Sequence, residues 1–249
     1  MLLTVLGCSG SAPGPGAPAS GYLLEADGYR LGLELGNGTL AELPDPFSLD
    51  ALMFSHLHPD HCADFSALTV LRRYHPSAPT DRLPVYAPTE APTRFAAAYS
   101  PDEAERTSAD LSDVYSFFAV TLGTWRLGPF EVRAATAAHP CEAYCFRISH
   151  GGRTLVYTGD TGAFAGLAPF AAGADVLLAE ASWTTAADRP VDLHLSGTEA
   201  GTLATAAGVG RLLVTHVPPW TDKAAVFAEA QAAFDGPAEL VKRGVTYPI

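Results

Sequence analysis

The feature that most constrains this chain is a cluster of three histidines and two aspartates, SHLHPDHCAD at positions 55–64, directly after a short apolar segment. Because side chains alternate along an extended segment, His56 and His58 are expected on the same side of the chain. The proline that follows favours a turn, which brings Asp60 and His61 back toward the same point. Neutral imidazole and carboxylate are ligands that divalent cations such as Zn²⁺ accept. Exposed histidines on a polar loop are the alternative, but this spacing after an apolar strand favours a metal site.

Three more candidate ligands stand at the ends of later apolar runs. His139 closes an alternating run, Asp160 ends the segment RTLVYTGD, and His216 ends the segment RLLVTH. A buried polar group without a partner costs free energy, so polar residues that repeatedly end apolar runs indicate a shared function. The sequence therefore predicts that these side chains complete the site that begins at His56.

The chain interleaves strand-like and helix-like patterns without an internal repeat or a linker, which predicts a single domain over residues 1–249. The predicted strands are 2–6, 30–35, 50–55, 130–138, 153–158, 175–180, 211–217 and 238–247. The predicted helices are 63–74, 90–99, 197–208 and 222–234. Ser196 and Glu199 form a capping box, so the third of these helices should begin there. The Gly/Pro-rich stretch 7–18 is expected to form a turn, and the acidic stretch 100–117 a solvated loop or a lid over the strand ends.

Composition argues against several classes of protein. With 15 Lys and Arg against 27 Asp and Glu, the net charge of −12 argues against a non-specific binder of nucleic acid. No stretch approaches the roughly 18 consecutive apolar residues of a membrane span, so no membrane contact is expected. Four scattered cysteines are too few for a disulfide scaffold, which favours a reducing cytoplasm.

The first motif is similar to the HxHxDH signature of the metallo-β-lactamase superfamily, which His56, His58, Asp60 and His61 match. The resemblance extends over most of the chain and is strongest to the ribonuclease Z-like branch, within it to cyclic-nucleotide phosphodiesterases of actinobacterial type. Its further segments are LGCSGS (6–11), Gly36–Thr39, HPCEAY (139–144), YTGDTG (157–162), LLAEASW (177–183), DLHLSGTEA (192–200) and LLVTHVPPW (212–220). The resemblance implies an α+β fold, a four-layer αβ/βα sandwich with its site along one edge of two packed sheets.

The resemblance also implies two metal-binding groups that share one carboxylate. The first group consists of His56, His58 and His139, the second of Asp60, His61 and His216, and Asp160 bridges both. The expected cofactors are two divalent ions, Zn²⁺ first, with Mn²⁺ or Fe²⁺ as alternatives. In the strand before the Gly36 turn, the family usually has aspartate where this chain has Glu34, whose carboxylate lies one carbon–carbon bond farther out. The role of that carboxylate in orienting a ligand histidine therefore stays open.

Two divalent ions a few ångströms apart can hold a hydroxide between them and stabilise charge on both oxygens of an in-line displacement, which predicts phosphodiester hydrolysis. Asp60, besides being a ligand, could accept a hydrogen bond from the nucleophile. His194 lies two residues before the capping-box serine, near a helix N-terminus that favours anions. In the ribonuclease Z-like branch, the residues that match His194 and Glu180 are implicated in protonating the leaving group. Trp183 and Trp220 each follow a predicted strand end, and base stacking and core packing are equal alternatives for both.

The charge balance separates the candidate substrates. A tRNA 3′-processing endonuclease must neutralise many phosphates, yet basic pairs are confined to Arg72-Arg73 and Lys242-Arg243 and no long protruding insertion is evident. A thioester or lactone hydrolase would require an apolar acyl pocket or an appended domain, and only 33 residues follow the last candidate ligand. A redox di-iron relative would carry a carboxylate in place of an imidazole of the first motif, and a non-catalytic module would have lost a ligand, whereas this chain keeps the full set. The expected substrate is therefore a small anionic phosphodiester, most simply a 3′,5′-cyclic nucleotide such as cAMP, with no stable nucleic-acid complex and with homodimerisation suggested by analogy alone.

Overall fold

Fourteen β-strands form two seven-stranded sheets in the structure, a computed structural model that describes residues 1–249. The strands, in chain order, are β1 (Leu2–Gly7), β2 (Gly21–Ala26), β3 (Tyr29–Leu33), β4 (Ala51–Met53), β5 (Leu83–Ala87), β6 (Tyr115–Ala119), β7 (Gly123–Leu127), β8 (Phe130–Thr136), β9 (Tyr144–His150), β10 (Arg153–Tyr157), β11 (Val176–Glu180), β12 (Leu212–Thr215), β13 (Ala238–Leu240) and β14 (Thr246–Pro248). The α-helices are α1 (Pro59–Cys62), α2 (Phe65–Tyr74), α3 (Ala91–Tyr99), α4 (Glu103–Arg106), α5 (Leu167–Ala171), α6 (Gly197–Ala207) and α7 (Lys223–Ala233). None of these helices is both long and apolar enough to cross a bilayer.

Each sheet is half antiparallel and half parallel. The first sheet has the order β14-β1-β2-β3-β4-β5-β6, antiparallel from β14 to β3 and parallel from β3 to β6. The second has the order β13-β12-β11-β10-β9-β8-β7, parallel from β13 to β10 and antiparallel from β10 to β7. Strand β11 reads VLLAE and is buried along its whole length, as an internal strand of a parallel region requires.

Three apolar clusters define four layers. The largest contains 24 buried residues from both sheets, among them Leu24 and Leu155, and fills the space between the sheets. A cluster of 23 residues joins the second sheet to α5, α6 and α7. A cluster of 18 residues joins the first sheet to α2 and α3, where Phe65 stacks on Phe95 with 4.0 Å between ring centroids. The predicted α+β sandwich with αβ/βα layers is therefore confirmed.

The capping box predicted from the sequence begins α6. The Ser196 side chain accepts a hydrogen bond from the Glu199 backbone N–H, and the Glu199 carboxylate accepts one from the Ser196 backbone N–H. The helix ends at Gly208, whose φ of 61° is a left-handed conformation that glycine adopts without steric cost. The Gly/Pro-rich stretch 7–18 forms turns, as predicted.

Two other predictions are wrong. The segment 238–247 is not one strand, because a turn at Gly244 divides it into β13 and β14, which belong to different sheets. The stretch 100–117 is mostly exposed, as predicted for a solvated segment, although it contains α4 and the start of the edge strand β6. It lines none of the cavities beside the site, so the alternative of a lid is wrong. The sequence patterns also miss β2, β5, β6, β7 and β9.

Strand direction explains where the candidate ligands lie. Strands β10, β11 and β12 are parallel, and β8 runs the same way because two antiparallel steps separate it from β10. Their carboxyl ends therefore meet at one edge of the second sheet. The segment after β4 in the first sheet reaches the same edge, since the Tyr144 backbone N–H at the start of β9 donates to the Ser55 carbonyl at 3.0 Å. The loops after β4, β8, β10 and β12 carry the candidate ligands.

Candidate metal centre

The first motif turns sharply after β4. His56 is fully buried, and His58 precedes the short helix α1, whose first residue is a proline. This turn of helix places Asp60 and His61 in the interior. Gly36 allows the turn to approach, because a Cβ at that position would lie 2.0 Å from the Asp60 carbonyl oxygen.

One group of candidate ligands combines the first motif with the ends of β8 and β10. The His56 Nε2 atom lies 3.0 Å from His58 Nδ1, and His139 Nε2 lies 3.3 Å from the same His58 atom. The carboxylate of Asp160 completes the group, with Oδ2 at 3.7 Å from His56 Nε2.

A second group uses the other half of the motif and the end of β12. Asp160 Oδ1 lies 3.1 Å from His61 Nε2, and Asp160 Oδ2 lies 3.2 Å from His216 Nε2. Asp60 Oδ2 is 3.5 Å from His61 Nε2 and 3.7 Å from His216 Nε2. Asp160 thus belongs to both groups, and the two groups have the same members as the two ligand sets that the resemblance implies.

Unpartnered atoms show that these residues fit cations. Asp60 Oδ2, His61 Nε2, Asp160 Oδ1 and His216 Nε2 are buried and have no hydrogen-bond partner, a state that costs about 1–3 kcal/mol per group. Two ligand atoms at about 2.0–2.1 Å from a tetrahedral Zn²⁺ are about 3.4 Å apart, close to the separations observed here. All four atoms belong to the second group, so a divalent cation bound there would give them the partner that they lack.

The charges of the site are strongly coupled. Burial would raise the pKa of the Asp160 carboxyl, but attraction to His216 and His61 outweighs it and holds this pKa well below its usual range. Burial and repulsion from His61 hold the pKa of His56 well below its ordinary value, so the His56 ring is neutral. A neutral imidazole is the form that binds a metal.

Hydrogen bonds hold the far sides of two candidate ligand rings, those of His139 and His216. His139 Nδ1 donates to the Leu193 carbonyl at 3.0 Å, which leaves Nε2 directed at the centre. His216 Nδ1 lies 2.8 Å from the Ser20 hydroxyl, 196 residues away in sequence. His216 also has a φ of 60°, a strained value for this residue type, and its backbone N–H donates to the Cys8 carbonyl.

Glu34, which stands where the family usually has aspartate, lies behind His61. Its side chain is fully buried, and Oε1 accepts a hydrogen bond from the Ser55 backbone N–H at 2.9 Å. The same oxygen is 3.6 Å from His61 Nδ1. The longer carboxylate therefore still contacts the far side of a candidate ligand, and its residue has the left-handed φ of 63°.

A histidine–glutamate pair lies directly beside Asp160. His194 Nδ1 donates to Glu180 Oε1 at 3.0 Å and lies 3.8 Å from Asp160 Oδ2. Glu180 is almost fully buried, and its carboxylate also accepts from the Thr161 backbone N–H at 2.8 Å and the Ser182 hydroxyl at 3.1 Å. These hydrogen bonds fix the carboxylate in position, so it orients the His194 ring.

The two tryptophans lie at the edge of the site rather than in the core. Trp220 exposes 69% of its surface, which excludes core packing. Trp183 is partly buried and meets His194 edge to face at 5.2 Å between ring centroids. The sequence patterns miss Arg189, whose guanidinium lies over the Trp183 ring at 5.3 Å, and Ser20 behind His216. Arg189 is the one basic residue in the loop TTAADRP (184–190), which was a usable signal. No local sequence pattern could reveal Ser20.

Comparison with known proteins assigns the family. The family described as the beta-lactamase superfamily domain matches residues 36–217. The uncharacterized protein ML1173 of Mycobacterium leprae is 48% identical over 253 residues, which cover 99% of this chain and 88% of that protein. Ribonuclease Z of Mycolicibacterium gilvum is 30% identical over 247 residues, covering 87% of this chain and 84% of the relative.

A solved structure supports the same assignment. YhfI of Bacillus subtilis, described as a probable metallo-hydrolase of metallo-beta-lactamase fold, is 29% identical in sequence over 262 residues that cover 99% of each chain. Its crystal structure matches this fold with a TM-score of 0.84 at 28% identity, over 99% of this chain and 98% of YhfI. The chain therefore belongs to the metallo-β-lactamase superfamily and is a metal-dependent hydrolase.

Proposed function

We propose that this chain is a binuclear metal-dependent phosphodiesterase that hydrolyses small phosphodiesters, in particular 3′,5′-cyclic nucleotides such as cAMP. The observation that carries the proposal is the sharing of Asp160 between two groups of candidate ligands, with the His194–Glu180 pair beside it. Residues 1–249 would act as a single domain, because both sheets contribute side chains to each group.

In this proposal each half of the site holds one divalent cation. The ligands of the first are His56, His58 and His139, those of the second are Asp60, His61 and His216, and Asp160 is shared. Zn²⁺ suits such mixed nitrogen and oxygen ligands, and Mn²⁺ or Fe²⁺ are the alternatives. When bound, such a pair lowers the pKa of water and stabilises negative charge on phosphate oxygens. The Asp60 carboxylate would also accept a hydrogen bond from the attacking water and orient it toward phosphorus.

His194 would protonate the departing alkoxide. Because Nδ1 donates to Glu180, the Nε2–H is left to face the substrate. Burial favours the neutral ring, but attraction to the Glu180 and Asp160 carboxylates outweighs it and raises the pKa of His194 to about 9. His194 therefore enters the reaction as a protonated acid at neutral pH.

Charge and cavity size favour a small substrate. A net charge of −12 opposes the binding of a long polyanion, whereas two cations shield one phosphate from the remote acids. Cavities of about 400 and 600 Å³ lie beside His194, within the usual range of about 300–1,000 Å³ for small-ligand pockets.

All four cysteines are free, in keeping with a reducing compartment, and we place the protein in the cytoplasm.

Two rival reactions have weaker support. A tRNA 3′-processing nuclease is the second candidate, favoured by the 30% identity to a ribonuclease Z. A thioester or lactone hydrolase needs an apolar pocket at the reacting centre, but a mainly apolar cavity of about 210 Å³ beside Phe164 and Leu203 is lined by no candidate ligand.

The test compares hydrolysis of cAMP and bis(p-nitrophenyl) phosphate by the metal-loaded wild type, His58→Ala and His75→Ala. His75 is exposed and belongs to none of the ligand groups, so it controls for the loss of an imidazole. We expect His58→Ala to lose at least about 100-fold in kcat/KM on both substrates, and the control to keep full activity. Equal rates for wild type and His58→Ala would refute the site. A parallel assay with a tRNA precursor separates the rivals, because 3′-end cleavage without cAMP hydrolysis would favour the nuclease.

A further inference from the structure

The cavity of about 600 Å³ beside His194 has an unusual lining for this chain. Two of the three tryptophans of the chain, Trp183 and Trp220, line this cavity together with Arg189. Trp183, Arg189 and His194 also line the neighbouring cavity of about 400 Å³. The Trp183 indole and the Arg189 guanidinium therefore lie where the two cavities meet, next to His194, the proposed proton donor.

Trp220 is free to bind a ligand. It is 69% exposed, and no aromatic ring or guanidinium is stacked on it. It follows the Pro218-Pro219 pair, which restricts the backbone between His216 and the indole. A large aromatic face held near the site in water can gain binding energy by stacking on a flat ligand.

Arg189 is also incompletely paired. Its Nε–H donates to the Thr184 carbonyl at 3.2 Å, and no carboxylate lies within 4.0 Å of its guanidinium, although acids outnumber bases by 27 to 15 in this chain. The Trp183 ring holds the guanidinium at 5.3 Å from the ring centroid. Its terminal amino groups have no protein acceptor, so they are available to a ligand.

The geometry of a cyclic phosphodiester decides what lies in this cavity. Both ester oxygens of such a substrate belong to one nucleoside, so an in-line displacement puts the whole nucleoside on the side of the leaving oxygen. In the proposed function His194 lies on that side, because it protonates the leaving oxygen. The base must then extend into a cavity that opens beside His194, and Trp220 lines the larger of the two.

We propose that Trp220 and Arg189 form a purine-recognition subsite, in which the base stacks on the indole and the guanidinium donates to the N7 edge of the purine. This inference rests on the proposed function for the placement of the phosphate. Stacking accepts any base, but N7 is an acceptor that adenine and guanine have and pyrimidines lack. Arg189 is therefore the residue that discriminates between purine and pyrimidine substrates.

The kinetic test measures kcat/KM for cAMP, cGMP and cyclic CMP with wild type, Arg189→Ala and Trp220→Ala. We expect wild type to prefer the two purines, and Arg189→Ala to lose about tenfold on them through KM, so that the preference disappears. Trp220→Ala should lower kcat/KM for all three substrates, and Trp220→Phe should recover part of the loss. A purine preference unchanged in Arg189→Ala would overturn the assignment.

Matched controls exist elsewhere on the surface. Arg126 is exposed on the edge strand β7, so Arg126→Ala makes the same change of charge away from the site. Tyr74 is an aromatic residue with the same 69% exposure as Trp220, so Tyr74→Ala controls for the loss of an exposed ring. Both controls should keep the activity and the base preference of wild type.

A binding measurement distinguishes failure of this inference from failure of the proposed function. Quenching of tryptophan fluorescence by 5′-AMP and by 5′-CMP gives dissociation constants without turnover. We expect tighter binding of 5′-AMP, weakened about tenfold in Arg189→Ala. If no cyclic nucleotide is hydrolysed but this pattern holds, the phosphodiesterase proposal fails and the purine subsite stands. If cyclic nucleotides are hydrolysed but 5′-AMP and 5′-CMP bind equally well to wild type and variant, the subsite is wrong.

Discussion

Replacement of Glu180 by glutamine tests the proton donor directly. The side chain keeps its size and can still accept from the Thr161 backbone N–H, but the negative charge beside His194 Nδ1 is lost. The pKa of His194 is raised from 6.5 to about 9, a difference that corresponds to about 3 kcal/mol and is an upper limit for Glu180 because Asp160 contributes. In the wild type the raised pKa keeps the His194 ring protonated at higher pH. In Glu180→Gln this pKa should fall, so the ring should lose its proton, and with it the general acid, as the pH rises.

The size of the effect depends on pH. At pH 8 about nine tenths of His194 is protonated in wild type, against a few per cent if the pKa falls to its ordinary value, so we expect a loss of up to about 30-fold in the hydrolysis of cAMP. At pH 6 the ring is mostly protonated in both proteins, and the loss should shrink to less than about twofold.

The assay is a profile of kcat/KM from pH 6 to 9 for Glu180→Gln and wild type. Glu131→Gln, an exposed change on β8, serves as the matched control. Bis(p-nitrophenyl) phosphate has a leaving group that departs without protonation, so it should respond much less than cAMP. A loss that is equal at pH 6 and pH 8, or equal on both substrates, would refute the role of His194 as a general acid.

Chelation should lower the melting temperature by about 5–10 °C in scanning fluorimetry, because several buried ligand atoms lose their partners, and Zn²⁺ should restore it; an unchanged melting temperature would contradict a bound metal. Glu34→Gln should weaken metal affinity about tenfold in a chelator competition, because the negative charge behind His61 is removed, and unchanged affinity would remove Glu34 from the site. Phe65→Ala should cost about 3–5 kcal/mol in the free energy of unfolding, measured with urea, whereas Val70→Ala on the exposed side of the same helix should cost far less; similar costs would contradict the packing of Phe65 between the first sheet and α3.

The grouping of the candidate ligands was the most predictable feature of this molecule from sequence. Polar residues such as Asp160 and His216 end unbroken apolar runs, and these runs are strong signals because parallel strands are buried on both faces. Strand direction then brings their carboxyl ends together. The fold class was predicted from the resemblance, whereas the alternation of strands and helices predicted only a single domain.

Three of the missed strands, β5, β6 and β7, have weaker patterns for physical reasons. Strand β7 is an edge strand with little burial, and β6 is exposed toward its carboxyl end, so neither needs a regular apolar alternation. Strand β5 contains a proline, which is unfavourable in most strands. The partners behind the ligands were equally hidden, since the contact between Ser20 and His216 joins residues 196 positions apart.

The separation of the candidate ligands along the chain has a consequence for maturation of the enzyme. The first of them, His56, comes from the loop after β4, and the last, His216, follows β12 in the opposite sheet. The first group is complete once Asp160 has been synthesised, but the second also needs His216, and both groups require the two sheets to dock. Binding of both ions would therefore follow the docking of the two sheets and stabilise a protein that is already assembled, rather than initiate its folding. Metal starvation should accordingly yield folded but inactive molecules, which can be rescued after synthesis.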